Sequence, residues 1–236
     1  MKLVFIRHGD PDYVNDSLTE KGFREAECLR KRVEKWDIKE IYCSPLGRAQ
    51  ATAKPFLTSM NREAITCDWL KEFYVKIKDP ITGNDKIPWD FMPQYFTKQE
   101  MLYNKDTWTS APVMMTGDVK AACEDVWKNF DELLKGYGYV RDGGLYRVEK
   151  HSDDTLVFVC HLGVTFLIVS HLLGIAAPLL WQGFFMPPTS LVVLNSEERI
   201  EGEAYFRCQA FSDTRHLTDN GEPVSPSGYF TELFRG

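Results

Sequence analysis

The chain has 236 residues, of which 44% are hydrophobic, and 28 Lys and Arg residues against 34 Asp and Glu residues give it a net charge of −6. This apolar content is typical of a globular protein and disfavours the disordered, collagen-like and coiled-coil classes. The acidic balance provides no broad basic face, so we expect neither nucleic acid nor a membrane as a partner. We predict a single domain over residues 1–236.

The N-terminal segment predicts a buried strand followed by a helix. Residues 3–6 form an apolar run without alternation, which is typical of a strand covered on both faces, and the run ends at Arg7 and His8. Thr19 can cap the helix that follows. Apolar residues recur every three or four positions in this helix, at Phe23, Ala26, Leu29, Val33 and Trp36.

A second strand, at residues 41–43, leads to another helix start. Ser44 followed by Pro45 predicts an N-cap and the first helical residue, which puts Arg48 in the first turn. A cation there opposes the helix dipole at a cost of roughly 0.3 to 1 kcal/mol. We therefore expect an anion to be shared between Arg48 and the N-terminus of this helix.

Residues 73–115 differ in composition from the rest of the chain. Four prolines interrupt any periodicity there, and the segment is rich in aromatic residues: Phe73, Tyr74, Trp89, Phe91, Tyr95, Phe96, Tyr103 and Trp108. We predict that this segment is an inserted cap. Its aromatic side chains could equally form core for extra helices or line a substrate pocket.

The remaining chain returns to alternating strands and helices. A helix is predicted over residues 116–135, a hairpin over 139–148, and an apolar strand over 156–160 that leads through His161 into another helix. Strands are also predicted at residues 191–194 and 204–210. The order of elements predicts a three-layer α/β/α sandwich with a largely parallel central sheet and an inserted cap region.

The uncharged stretch between residues 155 and 196 is long enough to raise the question of a membrane span. It contains Thr165, Ser170, His171 and Pro178 and has no flanking basic cluster, which favours a buried strand, helix and strand instead. Only four apolar residues precede Arg7, too few for a signal peptide. The six cysteines are scattered without C-x-x-C spacing. We therefore expect reduced thiols and a cytoplasmic location.

Four basic side chains follow the ends of predicted strands. Ligands of open α/β sheets bind outside the carboxyl ends of the strands, so these side chains can meet in one pocket: Arg7, His8, Arg48 and His161. Guanidinium groups offer paired donors to phosphoryl oxygens, and a neutral imidazole can attack phosphorus. The combination indicates chemistry on a phosphoryl group.

Three segments of the chain resemble the histidine phosphatase superfamily, also called the phosphoglycerate mutase-like fold. They are residues 5–9 (FIRHG), 44–53 (SPLGRAQATA) and 159–164 (VCHLGV). The resemblance implies that His8 is the nucleophile and is transiently phosphorylated. It implies that Arg7, Arg48 and a protonated His161 hold the phosphoryl oxygens, helped by the backbone amide of Gly163. It implies no metal and no organic cofactor.

The resemblance also indicates the branch and the proton donor. In the acid phosphatase branch an aspartate follows the second histidine directly, whereas this chain has Leu162 there. In the mutase-like branch the acid is a glutamate about two dozen residues beyond the second arginine, and Glu72 lies 24 residues beyond Arg48. The mutases also carry an adjacent Arg-Arg pair, which this sequence lacks. We therefore favour hydrolysis over mutase chemistry.

The expected function is hydrolysis of a small phosphorylated metabolite by a histidine phosphatase that uses His8, Glu72 and His161. Two alternatives stay open, namely a phosphoglycerate mutase-type phosphoryl transfer and a catalytically silent phosphate-binding protein. A metal site built from His8, His161, Asp10 and Glu72 is disfavoured because two arginines would repel the cation. The sequence leaves the substrate and the oligomeric state open.

Overall fold

The structure of the protein is a computed structural model that describes residues 1–233. Its strands are β1 (Lys2–Arg7), β2 (Pro11–Asp12), β3 (Ser17–Leu18), β4 (Glu40–Cys43), β5 (Ile65–Thr66), β6 (Ile77–Lys78), β7 (Asp85–Lys86), β8 (Tyr139–Asp142), β9 (Leu145–Val148), β10 (Thr155–Cys160), β11 (Leu191–Ile200) and β12 (Glu203–Asp213). Its α-helices are α1 (Glu20–Val33), α2 (Gly47–Ser59), α3 (Pro93–Phe96), α4 (Glu100–Tyr103), α5 (Val119–Gly136), α6 (Leu162–Leu173), α7 (Ala177–Gly183) and α8 (Arg215–Thr218). Short 3₁₀ helices lie at Asp68–Leu70, Trp108–Ser110 and Met114–Thr116.

The central sheet is parallel on one side and antiparallel on the other. Within residues 1–233 it has eight strands in the order β5, β4, β10, β1, β11, β12, β9, β8. The first four run parallel to one another. The strands from β11 onwards pair antiparallel, because β11–β12 and β8–β9 are joined by short connections as hairpins. The predicted α/β fold is confirmed, but the sheet is parallel only in the half that contains β1 and β10, whereas a largely parallel sheet was predicted.

The two faces of the sheet bury different helices. Val4 and Ile6 of β1 pack with α1 and α2, whereas Leu3 and Phe5, which point the other way, pack with α5 and α6. The ring of Phe5 stacks on that of Phe158 in the adjacent β10, with centroids 4.9 Å apart. Helices therefore cover both faces, which gives the three layers expected from the unalternating apolar strands.

Helix α1 begins as predicted, but its apolar face is shorter than expected. Thr19 is the N-cap, and its hydroxyl accepts a hydrogen bond from the amide of Gly22 at 3.1 Å. The middle of the predicted stripe is buried. Its ends are not, because Phe23 is 50% exposed and Trp36 lies beyond the last helical residue, Val33.

Helix α2 begins later than the Ser-Pro signal predicts. Its first residue is Gly47, and its N-cap is Leu46, whose own side chain makes no capping hydrogen bond. The prediction that Ser44 is the N-cap is therefore wrong. The hydroxyl of Ser44 lies 2.7 Å from a ring nitrogen of His161 instead, so a contact with a residue 117 positions away overrides the local capping preference.

The aromatic residues of segment 73–115 divide between core and surface. Phe73, Phe91, Phe96 and Trp108 are buried in the same core that covers one face of the sheet. Tyr74 and others remain partly or largely exposed. The core interpretation thus holds for half of these side chains, whereas the role of the segment as a cap stays a prediction.

The uncharged stretch of residues 155–196 forms β10, α6, α7 and the start of β11. Strand β10 lies between β1 and β4 in the middle of the sheet. Among the helices of residues 1–233, none is both long and apolar enough to span a lipid bilayer.

Candidate active site

The predicted basic residues converge at the carboxyl ends of the parallel strands. Arg7 is the last residue of β1, and His8 follows it, while His161 follows β10. Because β1 and β10 are adjacent and parallel, these ends lie side by side, and the amide of His8 donates to the carbonyl of Cys160 at 3.0 Å. The ring centroids of His8 and His161 are 5.1 Å apart. The structure thus brings together side chains that are more than 150 residues apart in the sequence.

The surroundings of His8 suit a nucleophile. Its Nδ1 lies 2.8 Å from the carbonyl oxygen of Gly9, and this contact holds the proton on Nδ1 and leaves the lone pair of Nε2 free. Burial lowers the pKa of His8 well below its usual value, and the charges of Arg7 and Arg48 lower it further. The ring is therefore neutral at physiological pH, which is the form that can attack phosphorus.

His161 is held by a residue that the sequence analysis assigned to another role. The hydroxyl of Ser44 lies 2.7 Å from His161 Nε2 and accepts from the amide of Leu46 at 3.3 Å, so its own proton is available for Nε2. Burial, the neighbouring His8 and the two arginines lower the pKa of His161 well below its usual value. The expected protonated His161 is therefore not the form this environment favours. With Nε2 accepting from Ser44, the neutral ring still donates through Nδ1.

Both arginines are buried and each is held through one terminal nitrogen. Arg7 NH1 donates to the carbonyl of Met186 at 2.6 Å, and the guanidinium lies over the ring of Phe185, 5.9 Å from its centroid. Arg48 NH1 donates to Asp16 Oδ1 at 2.6 Å. These contacts fix the planes of the two guanidinium groups.

Three polar atoms of this cluster are buried without a partner. They are Arg7 Nε, Arg48 Nε and His161 Nδ1. Buried donors are nearly always paired, and an unpaired one costs on the order of 1 to 3 kcal/mol. Three unpaired donors around the same histidine pair favour an anionic ligand that accepts from all of them.

The anion expected at the start of α2 comes from the chain itself. Asp16 Oδ2 accepts from the backbone amide of Gly47 at 2.6 Å, and its other oxygen accepts from Arg48. A carboxylate at this position compensates both the helix dipole and the buried cation. Asp16 was not among the predicted site residues, because a loop aspartate 31 residues before Gly47 carries no local signal for this contact.

Glu72 lies at the N-terminus of α6, where its carboxylate accepts from three backbone amides. These belong to Phe73 at 2.8 Å, Gly163 at 3.3 Å and Val164 at 3.1 Å. Burial nevertheless raises the pKa of Glu72 above its usual value, against the opposing effect of the amides and of Arg7. A raised pKa favours the protonated form that a proton donor requires.

The backbone amide of Gly163 is therefore engaged by Glu72, and its contact with phosphate stays a prediction. A Cβ atom at Gly163 would lie 2.6 Å from Glu72 Oε1 and 3.0 Å from Trp89 Nε1. The glycine is thus required for the close approach of Glu72 to α6.

The C-terminal segment, residues 222–229, lies beside the basic cluster. Ser225 Oγ donates to Asp10 Oδ1 at 2.5 Å, and the rings of Phe185 and Tyr229 pack with centroids 4.5 Å apart. An added Cβ at Gly228 would lie 3.3 Å from Arg7 NH2. The sequence analysis assigned no element of the site to this segment.

The alternative metal site gains no support from the residues that are described. Within residues 1–233, no group of three or more His, Cys, Asp and Glu side chains is placed to hold a metal ion. Asp10, one of the four candidate ligands, instead accepts from the hydroxyl groups of Thr19 and Ser225.

Comparison with known proteins finds a family match for the N-terminal third of the chain. Residues 3–82 match the family model of the histidine phosphatase superfamily, branch 1. The chain is 37% identical over 73 residues to a 2,3-bisphosphoglycerate-dependent phosphoglycerate mutase from Thermoplasma acidophilum. That match covers 27% of this chain and 36% of the mutase, so it spans little more than a third of the length of that relative.

Solved structures of phosphatases share the fold over most of the chain. A phosphoserine phosphatase from Entamoeba histolytica superposes with a TM-score of 0.60 at 20% identity and covers 92% of this chain and 98% of its own. A mycobacterial glucosyl-3-phosphoglycerate phosphatase superposes with a TM-score of 0.59 at 18% identity, and the match covers 89% of this chain and 98% of that one. The α-ribazole phosphatase from Shigella flexneri superposes with a TM-score of 0.58 at 19% identity, and the match covers 91% of this chain and 97% of that one.

The match of residues 3–82 agrees with the resemblance of the segments at residues 5–9 and 44–53 to the histidine phosphatase superfamily, and most of the chain shares the fold of the solved phosphatases. The particular relatives it resembles are a mutase in sequence and several phosphatases in fold.

Proposed function

We propose that the protein is a phosphatase that hydrolyses a phosphate monoester of a small metabolite through a phosphohistidine intermediate on His8. The observation that carries this proposal is the set of three unpartnered buried donors, on Arg7, Arg48 and His161, around a neutral His8. A phosphoryl group presents acceptor oxygens in three directions, which suits donors that come from three side chains.

In the first half of the proposed reaction, the Nε2 lone pair of His8 attacks the phosphorus atom. The P–N bond forms while the bond between phosphorus and the ester oxygen breaks in line with it. The two arginines and the Nδ1–H group of His161 stabilise the charge on the phosphoryl oxygens. The leaving alkoxide takes a proton from Glu72, whose raised pKa favours the protonated form.

In the second half, the Glu72 carboxylate acts as a base. It takes a proton from a water molecule, whose oxygen attacks the phosphorus of phosphohistidine while the P–N bond breaks. His8 then recovers its lone pair on Nε2, Glu72 is protonated again, and inorganic phosphate is released. One carboxyl group thus serves both halves of the cycle.

A mutase is the second candidate. The 37% identity to the mutase from Thermoplasma acidophilum favours it, although that match covers only 27% of the chain. The lack of an adjacent Arg-Arg pair in the sequence supports hydrolysis instead. The two candidates differ in whether phosphate leaves as the free ion or stays on the organic product.

The test is a phosphate-release screen over sugar phosphates, nucleotides and phosphoglycerates with wild type, His8→Ala and Glu72→Gln. We expect release by the wild type from at least one ester and none above background from His8→Ala. Glu72→Gln should slow release most for poor leaving groups and least for an activated aryl phosphate. His151→Ala, which changes an exposed histidine, is the matched control and should keep wild-type activity.

Three results would contradict the proposal. Isomerisation of phosphoglycerates without free phosphate would favour the mutase. Binding of phosphate without turnover of any ester would favour a silent binding protein. If Glu72→Gln slows phosphate release equally for esters with good and with poor leaving groups, Glu72 is not the proton donor.

A further inference from the structure

We propose that Asp16 is a positioning residue that holds Arg48 so that its Nε–H group faces the phosphoryl group, an inference that rests on the proposed function. The contact joins an exposed loop to a buried cation of the site.

Both oxygens of Asp16 are used at the start of α2. Oδ1 accepts from Arg48 NH1 and Oδ2 accepts from the amide of Gly47, each at 2.6 Å. The side chain of Arg48 is only 6% exposed, whereas that of Asp16 is 44% exposed. The carboxylate therefore lies at the outer wall of the site, and the guanidinium extends inward from it.

The contact leaves the inner part of the guanidinium available. Asp16 binds NH1, while Nε is buried and has no partner. Because the N–H groups of a guanidinium have fixed directions in one plane, holding NH1 also sets the direction of Nε–H. A phosphoryl oxygen can therefore bind Nε without displacing Asp16.

The loop that carries Asp16 is built to hold it in this place. Asp12 Oδ1 accepts from the amides of Val14 and Asn15, at 3.0 and 3.2 Å, which fixes the turn. Asp16 itself has a φ of +46°, in the left-handed region that aspartate and asparagine adopt more readily than other residues with a side chain. Gly47 allows the approach, because a Cβ there would collide with the carbonyl oxygen of Asp16.

A different reading of the same contact makes Asp16 an internal anion that phosphate must displace. The two readings predict opposite effects of removing the carboxylate. If Asp16 positions Arg48, its loss weakens phosphate binding. If Asp16 competes with phosphate, its loss strengthens binding. The unpartnered Nε favours positioning, because phosphate and Asp16 can then bind different nitrogen atoms of Arg48.

The test is a double-mutant cycle on the full chain with Asp16→Ala, Arg48→Ala and the double variant, plus Asp16→Asn. The dissociation constant of inorganic phosphate is measured by calorimetry, and kcat/KM is measured on the best ester of the screen. Asp16→Ala should weaken phosphate binding and lower kcat/KM by about tenfold or more, as expected for one charge-assisted hydrogen bond. Asp16→Asn should restore much of the loss, because its amide oxygen can still accept from Arg48.

The decisive result is the effect of Asp16→Ala when Arg48 is already alanine. In the Arg48→Ala background, Asp16→Ala should change the dissociation constant of phosphate and kcat/KM by no more than about twofold, because Asp16 acts through Arg48. Val14→Ala, at a loop position that is 93% exposed, and Glu124→Gln, which removes one surface charge, are controls expected to match wild type. Circular dichroism and thermal melting check that each variant folds, and Arg48→Lys replaces Arg48→Ala in the cycle if the alanine variant does not.

Two results would overturn the inference. One is tighter phosphate binding by Asp16→Ala than by the wild type. The other is an equal loss of phosphate affinity on Asp16→Ala whether residue 48 is arginine or alanine. A wild-type protein that binds no phosphate would overturn it too. If the wild type binds phosphate but hydrolyses no ester, the proposed function fails, while the binding cycle still decides the role of Asp16.

Discussion

At the scale of single residues, the hydroxyl of Ser44 determines which form of His161 faces the site. A neutral imidazole has one donor and one acceptor nitrogen, and the partner of one nitrogen decides the role of the other. The Ser44 hydroxyl can donate to Nε2 and so leave the proton on Nδ1, the atom that has no partner. His161 can then donate to phosphate without first acquiring a charge that this buried, cationic site disfavours.

Ser44→Ala should therefore impair phosphate binding without unfolding the protein. Without the hydroxyl, Nε2 can carry the proton and Nδ1 becomes an acceptor, which repels a phosphoryl oxygen. We expect kcat/KM to fall by about tenfold to a hundredfold, in line with the loss of one hydrogen bond to a charged group. Nitrogen NMR of the histidine rings should report a shift of the His161 tautomer toward the Nε2–H form. Ser59→Ala, at the exposed end of α2, is the control, and equal activity of both variants would refute this role.

At the scale of elements, the N-terminus of α6 determines where Glu72 lies. This helix has no side-chain cap of its own, and its first amides donate to the Glu72 carboxylate from a segment 91 residues earlier in the chain. The same helix start carries His161 as its N-cap residue. One helix end therefore holds both the proposed proton donor and a residue proposed to bind phosphate, and Gly163 makes the close approach of Glu72 possible.

Gly163→Ala should separate the two functions of this helix end. The added methyl group would lie 2.6 Å from Glu72 Oε1, so the carboxyl group must move. We expect kcat to fall by at least about tenfold for esters with poor leaving groups, with a smaller loss for an activated aryl phosphate, because proton donation matters less there. Gly136→Ala, at the end of α5 where an added Cβ meets no atom within 4 Å, is the matched control. An equal fall of kcat for both types of ester would contradict the proposal that Gly163 positions Glu72 as the proton donor.

At the scale of the whole molecule, a buried carboxyl group links the segment that follows His8 to α1. Glu25 is fully buried, and its Oε2 accepts from the amide of Asp10 at 2.8 Å. Lys21, one turn earlier, lies 3.3 Å from Oε1. Burial raises the pKa of Glu25 to about 7 despite both contacts. The folded protein therefore binds a proton near neutral pH that the unfolded chain releases at about 4.5.

The global stability should consequently depend on pH through Glu25. A folded-state pKa above the unfolded value means that this contribution is complete below about pH 4.5 and is lost as the pH rises through 7. The free energy of unfolding should fall by about 3 kcal/mol from this group between pH 4.5 and pH 8, since each pKa unit corresponds to about 1.4 kcal/mol.

Glu25→Gln should remove this part of the pH dependence while its side-chain oxygen still accepts from Asp10. Urea unfolding at pH 5 and pH 8 measures the difference between the variant and wild type. Glu27→Gln, at an exposed position on the same helix, is the control, and its free energy of unfolding should change between pH 5 and pH 8 as much as that of the wild type. If the free energy of unfolding changes equally between pH 5 and pH 8 in the wild type and in Glu25→Gln, Glu25 does not titrate in this range.

Prediction from the sequence succeeded where a short segment carries both the structure and the chemistry. The apolar runs before His8 and His161 determined two neighbouring strands, and their carboxyl ends determined where Arg7 and both histidines lie. Local pattern was sufficient there because unalternating apolar strands must be buried on both faces.

Only the tertiary structure decided the partners of these residues. Ser44 follows a strong capping signal but contacts His161, and Asp16 compensates the cation and helix end for which the sequence indicated an external anion. The direction of a hydroxyl or carboxylate depends on groups that reach it from distant parts of the chain, and no local pattern encodes them. The sequence thus determined which groups meet at the carboxyl ends of β1 and β10, and the packing of distant segments decided how each group is held and which protonation state its surroundings favour.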